Sequence, residues 1–160
     1  MSTLAVRPAL VQDEVFLYDL YNAVRGPEFD QAPISPSQKA DLLRMQCRAQ
    51  MSSYSQQFPN SCYHLVLLDG KPVGRLWVAP GEGELRLVDI AIHPEVQSKG
   101  LGTVLVQRIQ QEAQQLKLPI RCTVNRFNPG SFRFHKRLGF TVVREDLMDF
   151  QLEWRPAPLL

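Results

Sequence analysis

The spacing of apolar residues predicts two helices early in the chain. From Asp13 to Val24, apolar side chains recur every three or four residues, as on one face of a helix; they are Leu17, Leu20, Tyr21 and Val24. A second helix is predicted after Ser35, because Ser35-Pro36-Ser37-Gln38 has the pattern of a capping box with proline at the first helical position. Its buried face is expected to contain Ala40, Leu43, Cys47, Met51 and Tyr54.

Short apolar runs bounded by turn residues predict strands. One such run, Leu4–Arg7, precedes the helices. After them, Cys62–Leu68 and Val73–Val78 flank Asp69-Gly70, a strong signal for a two-residue hairpin turn. A further strand, Leu85–Ile92, follows the next turn.

The second half of the chain alternates again between helix and strand. A helix is predicted by the apolar face Leu101, Val104, Leu105, Ile109, Ala113 and Leu116. The remaining elements are a buried strand Ile120–Val124, a helix Ser131–Leu138 closed by Gly139, and a hairpin of Thr141–Arg144 and Leu147–Trp154. The order β-α-α-β-β-β-α-β-α-β-β predicts an α+β fold around one sheet, in a single domain over residues 1–160.

Composition and charge exclude several classes of protein. A net charge of +2 does not give the basic surface that nucleic-acid binding usually needs, so no nucleic-acid partner is expected. Apolar stretches such as Leu65–Leu68 are too short to span a membrane, and no membrane partner is expected. The N-terminal residues lack the basic region and long apolar core of a signal peptide, which predicts a cytoplasmic protein.

The three cysteines do not indicate a metal site. Cys47, Cys62 and Cys122 are odd in number and widely spaced, and the C-x-x-C spacing of zinc sites is absent from the sequence. We therefore expect three reduced, partly buried thiols and no bound metal.

The residues with the clearest chemical implication are Gln97–Thr103, between a predicted strand and a predicted helix. Glycines at 100 and 102 allow the backbone to approach a ligand closely, and the first N–H groups of a helix suit a pyrophosphate. A Walker loop is excluded because Lys99 precedes Gly100, and a dinucleotide fingerprint because Leu105 occupies its third small position. Taken alone, the two glycines fit an ordinary strand-to-helix turn equally well.

Two motifs in the sequence are together more informative than either motif alone. Gln97-x-x-Gly100-x-Gly102, preceded by the strand ending Ile90-Ala91-Ile92-His93-Pro94-Glu95, resembles the first signature of the GNAT superfamily of N-acetyltransferases. Asn128-Pro129 and Phe134-His135-Lys136-Arg137-Leu138-Gly139-Phe140 resemble its second. The resemblance implies one central, mostly antiparallel, twisted sheet flanked by helices. It also implies a V-shaped cofactor opening between the strand ending near Ile92 and the strand Ile120–Val124.

The resemblance also implies which residues bind acetyl-CoA, the expected cosubstrate. Backbone groups of Ile90, Ala91 and Ile92 would pair with the pantetheine arm. The pyrophosphate would be bound by the amides of the turn, namely Gln97, Ser98, Lys99, Gly100, Leu101, Gly102 and Thr103. Asn128 would contact the cofactor near the thioester, and the helix carrying Ser131 and Phe134 would flank it.

The chemistry implied is direct transfer of the acetyl group to a primary amine in a ternary complex. His135 occupies the position where many relatives have the tyrosine that protonates the leaving thiolate. Because a neutral imidazole is a poor acid, His135 must be protonated beforehand or only donate a hydrogen bond. Asp89, the one ionisable residue of the run Leu87–Ile92, could accept the amine proton through water. A helix histidine without a role and a carboxylate bonded to a neighbouring loop are the alternatives.

The amine acceptor is less constrained. Glu28, Phe29 and Tyr54 would combine carboxylate and aromatic groups suited to a small ammonium-bearing molecule, although a solvated acidic loop fits the same residues. Protein N-termini, amino acids, polyamines and aminoglycosides all remain open, as does the choice between monomer and homodimer. A catalytically weak acyl-CoA sensor and an ATP-binding module are the competing functions.

Overall fold

The computed structural model describes residues 2–158 and contains seven strands and four α-helices in the predicted order. They are β1 Leu4–Pro8, α1 Glu14–Arg25, α2 Pro36–Gln57, β2 Cys62–Leu68, β3 Lys71–Gly81, β4 Glu84–Ile92, α3 Leu101–Leu116, β5 Ile120–Asn125, α4 Pro129–Arg137, β6 Thr141–Glu145 and β7 Asp149–Trp154. Short 3-10 turns lie at Val11–Asp13, Gly26–Phe29 and Pro94–Lys99.

The seven strands are hydrogen-bonded in the order β1-β2-β3-β4-β5-β7-β6. Pairing is antiparallel for β1 with β2, β5 with β7, and β6 with β7. Strands β4 and β5 pair in parallel through Leu85↔Ile120 and Arg86↔Arg121. These pairs involve the first two residues of β5 and residues near the start of β4. This mixed sheet confirms the predicted α+β class.

The chain forms two compact units. The first contains Met1–Trp77 and Asp89–Leu101, and the second contains Val78–Val88 and Gly102–Leu160. Strands β3 and β4 contribute residues to both. The single domain over residues 1–160 stays a prediction, and its terminal residues Met1, Leu159 and Leu160 lie outside the described chain.

The first unit has a core between its two helices. Tyr21 of α1 packs with Leu43 and Cys47 of α2, and partly buried apolar side chains surround them: Tyr18, Phe29 and Met51. These contacts confirm most of the predicted helix faces. Ala40, which we expected on the buried face of α2, is exposed.

The core of the second unit includes the buried face of α3, with Leu105, Val106, Ile109 and Ala113 each 6% exposed or less. Val104 and Leu116, both predicted for this face, are instead 39% and 51% exposed. Successive residues turn by about 100°, which places Val104 opposite Ile109 and brings Val106 toward the buried side. Leu116 lies in the last turn of the helix.

The last hairpin begins later than predicted. Leu147, which we placed in the final strand, is 88% exposed and precedes β7. The reason is local, because Asp146 Oδ1 accepts hydrogen bonds from the backbone nitrogens of Met148 and Asp149, at 2.8 Å each. Side-chain bonds of this kind favour a turn over a strand.

Helix α2 begins with the predicted capping box. Ser35 Oγ accepts a hydrogen bond from the Gln38 backbone nitrogen at 3.1 Å, and Gln38 Oε1 accepts one from the Ser35 backbone nitrogen at 2.8 Å. Pro36 occupies the first helical position. The helix runs for 22 residues. No helix within residues 2–158 is both long and apolar enough to cross a membrane.

Replacing Ser35 by alanine is expected to destabilise the protein. The change removes one of the two capping bonds and should lower the free energy of unfolding by about 1 kcal/mol. Ser37→Ala, at an exposed position inside the same first turn, is the matched control and should have a smaller effect. Urea denaturation of both variants measures the difference, and equal losses would show that the cap does not stabilise α2.

Candidate active site

The turn after β4 has the geometry that the glycine motif predicted. Gln97 Nε2 donates a hydrogen bond to the carbonyl oxygen of Ile92 at 3.0 Å, so the first residue of the motif holds the turn against the end of the strand. His93 Nδ1 accepts from the backbone nitrogen of Glu95 at 3.2 Å and caps the 3-10 turn. The side chain of Gln97 is thus already engaged within the protein.

Gly100 is the residue that allows the chain to enter α3. Its φ is +72°, a left-handed conformation that a β-carbon would strain, although no atom lies within 4 Å of where that carbon would stand. Helix α3 starts at the next residue, Leu101. The first N–H groups of a helix lack partners within it and lie at its positive end, which suits a phosphate group. Lys99, beside Gly100, is exposed. Ser98 belongs to the same turn.

In the second unit, the start of α3 lies against α4. A β-carbon on Gly102 would lie 3.3 Å from Phe134 Cζ, so glycine permits this approach. Asn128 caps α4, because its Oδ1 accepts from the Ser131 backbone nitrogen at 3.1 Å. The predicted cofactor residues of this unit therefore lie on two helices. Gly102 and Thr103 are in the first turn of α3, and Asn128, Ser131 and Phe134 are in α4 or at its N-terminal cap.

His135 lies in α4 and is only 4% exposed. Its Nδ1 is 2.8 Å from the carbonyl oxygen of Ser131, which can only accept, so Nδ1 carries the proton and Nε2 of the neutral ring does not. The edges of Phe134 and Phe140 enclose the ring, with centroids 5.1 and 5.2 Å away. Burial lowers the pKa of His135 below its usual 6.5, and the bond to Ser131 opposes this only partly. Burial therefore favours the neutral imidazole.

Asp89, the predicted base, forms an ion pair in the first unit. Its Oδ2 lies 2.5 Å from Nη2 of Arg75 on β3, and the same nitrogen donates to Gln50 Oε1 of α2 at 2.7 Å. The Arg75 side chain is 5% exposed, whereas that of Asp89 retains 19%. Asp89 thus has its main partner on a strand and not on a neighbouring loop.

Aromatic side chains surround this ion pair. Tyr63 stacks on Trp77 with ring centroids 4.3 Å apart, and Tyr54 meets the same indole edge-on at 5.2 Å. Burial raises the pKa of both tyrosines, and the Asp89 charge raises that of Tyr54 further while Arg75 lowers it. We call Gln50, Tyr54, Tyr63, Arg75 and Asp89 the Arg75 cluster.

The other predicted acceptor residues have different surroundings. Glu28 pairs with Arg25 at 3.5 Å, and Phe29 packs on the apolar core between α1 and α2. Of the three predicted acceptor residues, Tyr54 is the one that joins the Arg75 cluster.

Comparison with protein families decides the identity of the fold. The acetyltransferase (GNAT) family model matches residues 17–140, which include both glycine-containing motifs and the Arg75 cluster. The chain belongs to the GNAT family of acetyltransferases.

Individual relatives agree with this assignment. The chain is 28% identical to a mycothiol acetyltransferase of Nocardiopsis dassonvillei, over 70% of this chain and 31% of that protein, so it spans about a third of the relative's length. It is also 28% identical to a 5-NmdU N-acetyltransferase of Pseudomonas phage PaMx11, over 70% of this chain and 86% of the relative. The solved structure of PaiA N-acetyltransferase from Thermoplasma acidophilum, in complex with coenzyme A, matches with a TM-score of 0.72 at 16% identity, covering 96% of this chain and 99% of that one. The predicted family and fold are confirmed.

Sequence reasoning missed three polar members of the Arg75 cluster: Gln50, Tyr63 and Arg75. Arg75 had a usable signal, since it is the one ionisable residue of the apolar run Val73–Val78. The same property had singled out Asp89 in its own strand. Gln50 and Tyr63 had no comparable signal, because a glutamine in a helix and a tyrosine in a strand are ordinary there.

The described residues contain no group of three or more His, Cys, Asp or Glu side chains placed to hold a metal ion. Two of the cysteines are also poor nucleophiles. Burial raises the pKa of Cys122 to about 12 and raises that of Cys47 as well. Cys62, predicted to be partly buried, is exposed, so the expectation for the thiols was wrong at that residue.

Thiol titration should therefore distinguish the cysteines of this GNAT protein. In the folded state one thiol, that of Cys62, is expected to react rapidly with Ellman's reagent at pH 8, since the other two are buried and protonated. All three should react after unfolding in guanidinium chloride. Loss of the fast phase in Cys62→Ser is the control, and rapid reaction of a second thiol in the folded protein would contradict the assignment.

Proposed function

We propose that this protein transfers the acetyl group of acetyl-CoA to a primary amine by direct attack within a ternary complex. The observation that carries the proposal is the turn at Gly100, which has a left-handed glycine and a helix start directly after it. Gln97 holds this turn to the end of β4. Membership of an acetyltransferase family supports the same activity.

The proposed cofactor site uses backbone groups more than side chains. Amides of Gln97–Thr103 would bind the pyrophosphate, and Ile90, Ala91 and Ile92 would pair with the pantetheine arm. Asn128 accepts through Oδ1 within the protein, so its Nδ2 group is the donor we assign to the cofactor. When bound, acetyl-CoA supplies a thioester carbonyl that an amine can attack.

The acceptor amine must lose a proton before it attacks. We propose that Asp89 receives this proton through water, because its side chain keeps 19% exposure at the edge of the buried cluster. A backbone N–H of the strand Leu87–Ile92 would stabilise the developing oxyanion.

The proposed proton donor to the leaving thiolate is His135, and its surroundings define the condition for that role. Nδ1 is occupied by the Ser131 carbonyl, so donation to a ligand requires a second proton on Nε2. Burial disfavours that charged form. The histidine would therefore act as an acid in the minority of molecules that are protonated, a fraction that grows as pH falls.

The same observation supports one alternative function. A GNAT domain with a sound cofactor turn but a neutral, buried histidine fits a catalytically weak acyl-CoA sensor. An ATP-binding module loses its support, because the segment that suggested it lies within the match to an acetyltransferase family.

Replacing Gly100 by valine should weaken acetyl-CoA binding by at least about tenfold, because the β-carbon strains the left-handed turn and obstructs phosphate approach. Gly70→Val is the matched control, since Gly70 has a φ of +82° and equally open surroundings in the turn between β2 and β3. Both changes should lower the melting temperature of the free protein. The shift of melting temperature on adding acetyl-CoA should disappear in Gly100→Val alone.

Two results would contradict the cofactor assignment. One is an acetyl-CoA shift in Gly100→Val as large as in the parent. The other is stabilisation of the parent by ATP but not by acetyl-CoA or CoA.

The role of His135 predicts a distinctive pH dependence. The ratio of parent to His135→Phe kcat should be largest below the lowered pKa of the imidazole and fall toward one as pH rises through it, because the donor form is present only below that pKa. General acid catalysis is typically worth about 10²–10⁴-fold, and we expect the lower part of that range. Acetyl-CoA affinity should change little.

The control for this profile is His64→Phe, which changes a half-buried histidine of β2. Its kcat ratio to the parent should be independent of pH. A constant ratio for His135→Phe between about pH 5.5 and 9, a range that includes the pH values at which imidazole changes charge, would assign His135 to packing.

A further inference from the structure

The Arg75 guanidinium is buried with hydrogen-bonding capacity left over. Arg75 is 4% exposed, and its Nη2 is engaged with Gln50 and Asp89. Its other two nitrogens, Nε and Nη1, are buried without a hydrogen-bond partner in the described chain. Buried donors of this kind are costly and uncommon in native proteins, which indicates that an additional oxygen-bearing group belongs here.

Tyr63 presents a second unmet group at the same place. Its hydroxyl is also buried; it interacts with the Arg75 guanidinium but forms no hydrogen bond of good geometry among the described residues. Stacking of Tyr63 on Trp77, with ring centroids 4.3 Å apart, keeps its ring in position. An oxyanion in contact with both residues would satisfy donors from each.

The charges of the cluster further restrict the ligand. Arg75 and Asp89 form an adjacent positive and negative pair, and Asp89 is the member that reaches solvent. An α-amino acid carries an ammonium and a carboxylate on one carbon, so it is complementary to such a pair. Binding would exchange one internal ion pair for two intermolecular ones and would bury no net charge.

We propose that the Arg75 cluster binds the α-amino-acid head group of the acceptor, with its carboxylate on Arg75 and Tyr63 and its amino group at Asp89. The proposal rests on the acetyltransferase function and names the acceptor class. Asp89 directly precedes Ile90–Ile92, the backbone assigned above to the acetyl-bearing arm, so an amine held at Asp89 is next to that segment in the chain.

The proposed transfer conserves atoms and charge. The ammonium gives one proton to water at Asp89, and the nitrogen lone pair forms a bond to the thioester carbonyl carbon. The carbon–sulfur bond breaks and its electron pair leaves on the CoA sulfur. The nitrogen then loses a second proton, which balances the proton that the sulfur takes up. The products are an N-acetylated amino acid and CoA, with one proton released to solvent.

Acceptor preference tests the proposal. Rates of CoA release should be compared for L-leucine with isoamylamine and leucinamide, and for L-phenylalanine with phenethylamine. We expect kcat/KM for at least one amino acid to exceed that of its amine and amide by at least about tenfold, since only the acid satisfies the guanidinium. Polyamines should be poor acceptors, because a second ammonium would be repelled by Arg75.

Two variants connect this preference to the cluster. Tyr63→Phe removes one hydroxyl and keeps the stacking ring, so it should raise KM for the amino acid while leaving the decarboxylated amine nearly unchanged. Tyr18→Phe is the matched control, because the Tyr18 hydroxyl donates to the Ala40 carbonyl outside the cluster. Arg75→Lys keeps the charge and should reduce the preference for acids without abolishing it.

The outcomes separate this proposal from the function on which it rests. Acetylation of amines and amino acids at equal rates, or a Tyr63→Phe variant with unchanged preference, overturns the amino-acid site and leaves the acetyltransferase intact; a buried water would then satisfy Arg75. A different result would support the site and overturn the enzymatic function. In that case an amino acid stabilises the protein thermally in the presence of CoA, Tyr63→Phe loses this stabilisation, and no amine is acetylated.

Discussion

Burial of one guanidinium is the constraint around which the first unit is arranged. Arg75 lies in an apolar strand, so its charge needs a partner, and Asp89 on β4 supplies it. Neighbouring Gly74 makes this possible from the other side of the strand, because a β-carbon there would collide with the carbonyl oxygen of Ala91. Two adjacent residues of β3 therefore have different roles. Gly74 permits the close approach of β3 and β4, and Arg75 forms the buried ion pair. Removing the Asp89 charge would leave the Arg75 guanidinium buried and unpaired, which is more damaging than losing a surface pair.

The ion pairs of the second unit have a different character. Arg121 of β5 bonds Glu153 at 2.9 Å, and Arg155 bonds the same carboxylate at 2.6 Å. The Arg121 side chain is 38% exposed and that of Arg155 69%, so water reaches both guanidinium groups although the Glu153 side chain is only 9% exposed. Both guanidinium groups can form other hydrogen bonds with solvent, whereas Arg75 cannot. Burial, and not the number of ion pairs, therefore distinguishes these guanidinium groups from that of Arg75, whose Nε and Nη1 are buried without a hydrogen-bond partner among the described residues.

The sequence could predict the features that depend on neighbouring residues, but not those that depend on long-range contacts. The capping box at Ser35 and the turn at Asp69-Gly70 depend on residues within a few positions of each other, and both formed as expected, with φ of 50° and 82° in the turn. The turn at Gly100 and the start of α3 were predictable because the glycines and the following helix are also local, whereas the cofactor role of this turn stays a prediction. The contact between Arg75 and Gln50 was not predictable, since the two residues are 25 positions apart and only the folded chain brings them together. The start of β7 was missed for a third reason, namely that the Asp146 side chain bonds to the backbone and replaces strand pairing.

The two proposed catalytic groups face opposite electrostatic conditions, and the chemistry of the thioester reconciles them. Attack requires a neutral amine, which is favoured at high pH, whereas an imidazolium at His135 is favoured at low pH and is further opposed by burial. No single pH satisfies both. A thiol, however, has a pKa of only about 8.5, so a thiolate can leave near neutral pH with little assistance from an acid. The demand for a strong proton donor is thus weaker than in reactions that expel an alkoxide. In the proposed mechanism a buried histidine would therefore be sufficient at this position, because the rate would depend more on delivering an uncharged amine beside β4 than on protonating the sulfur.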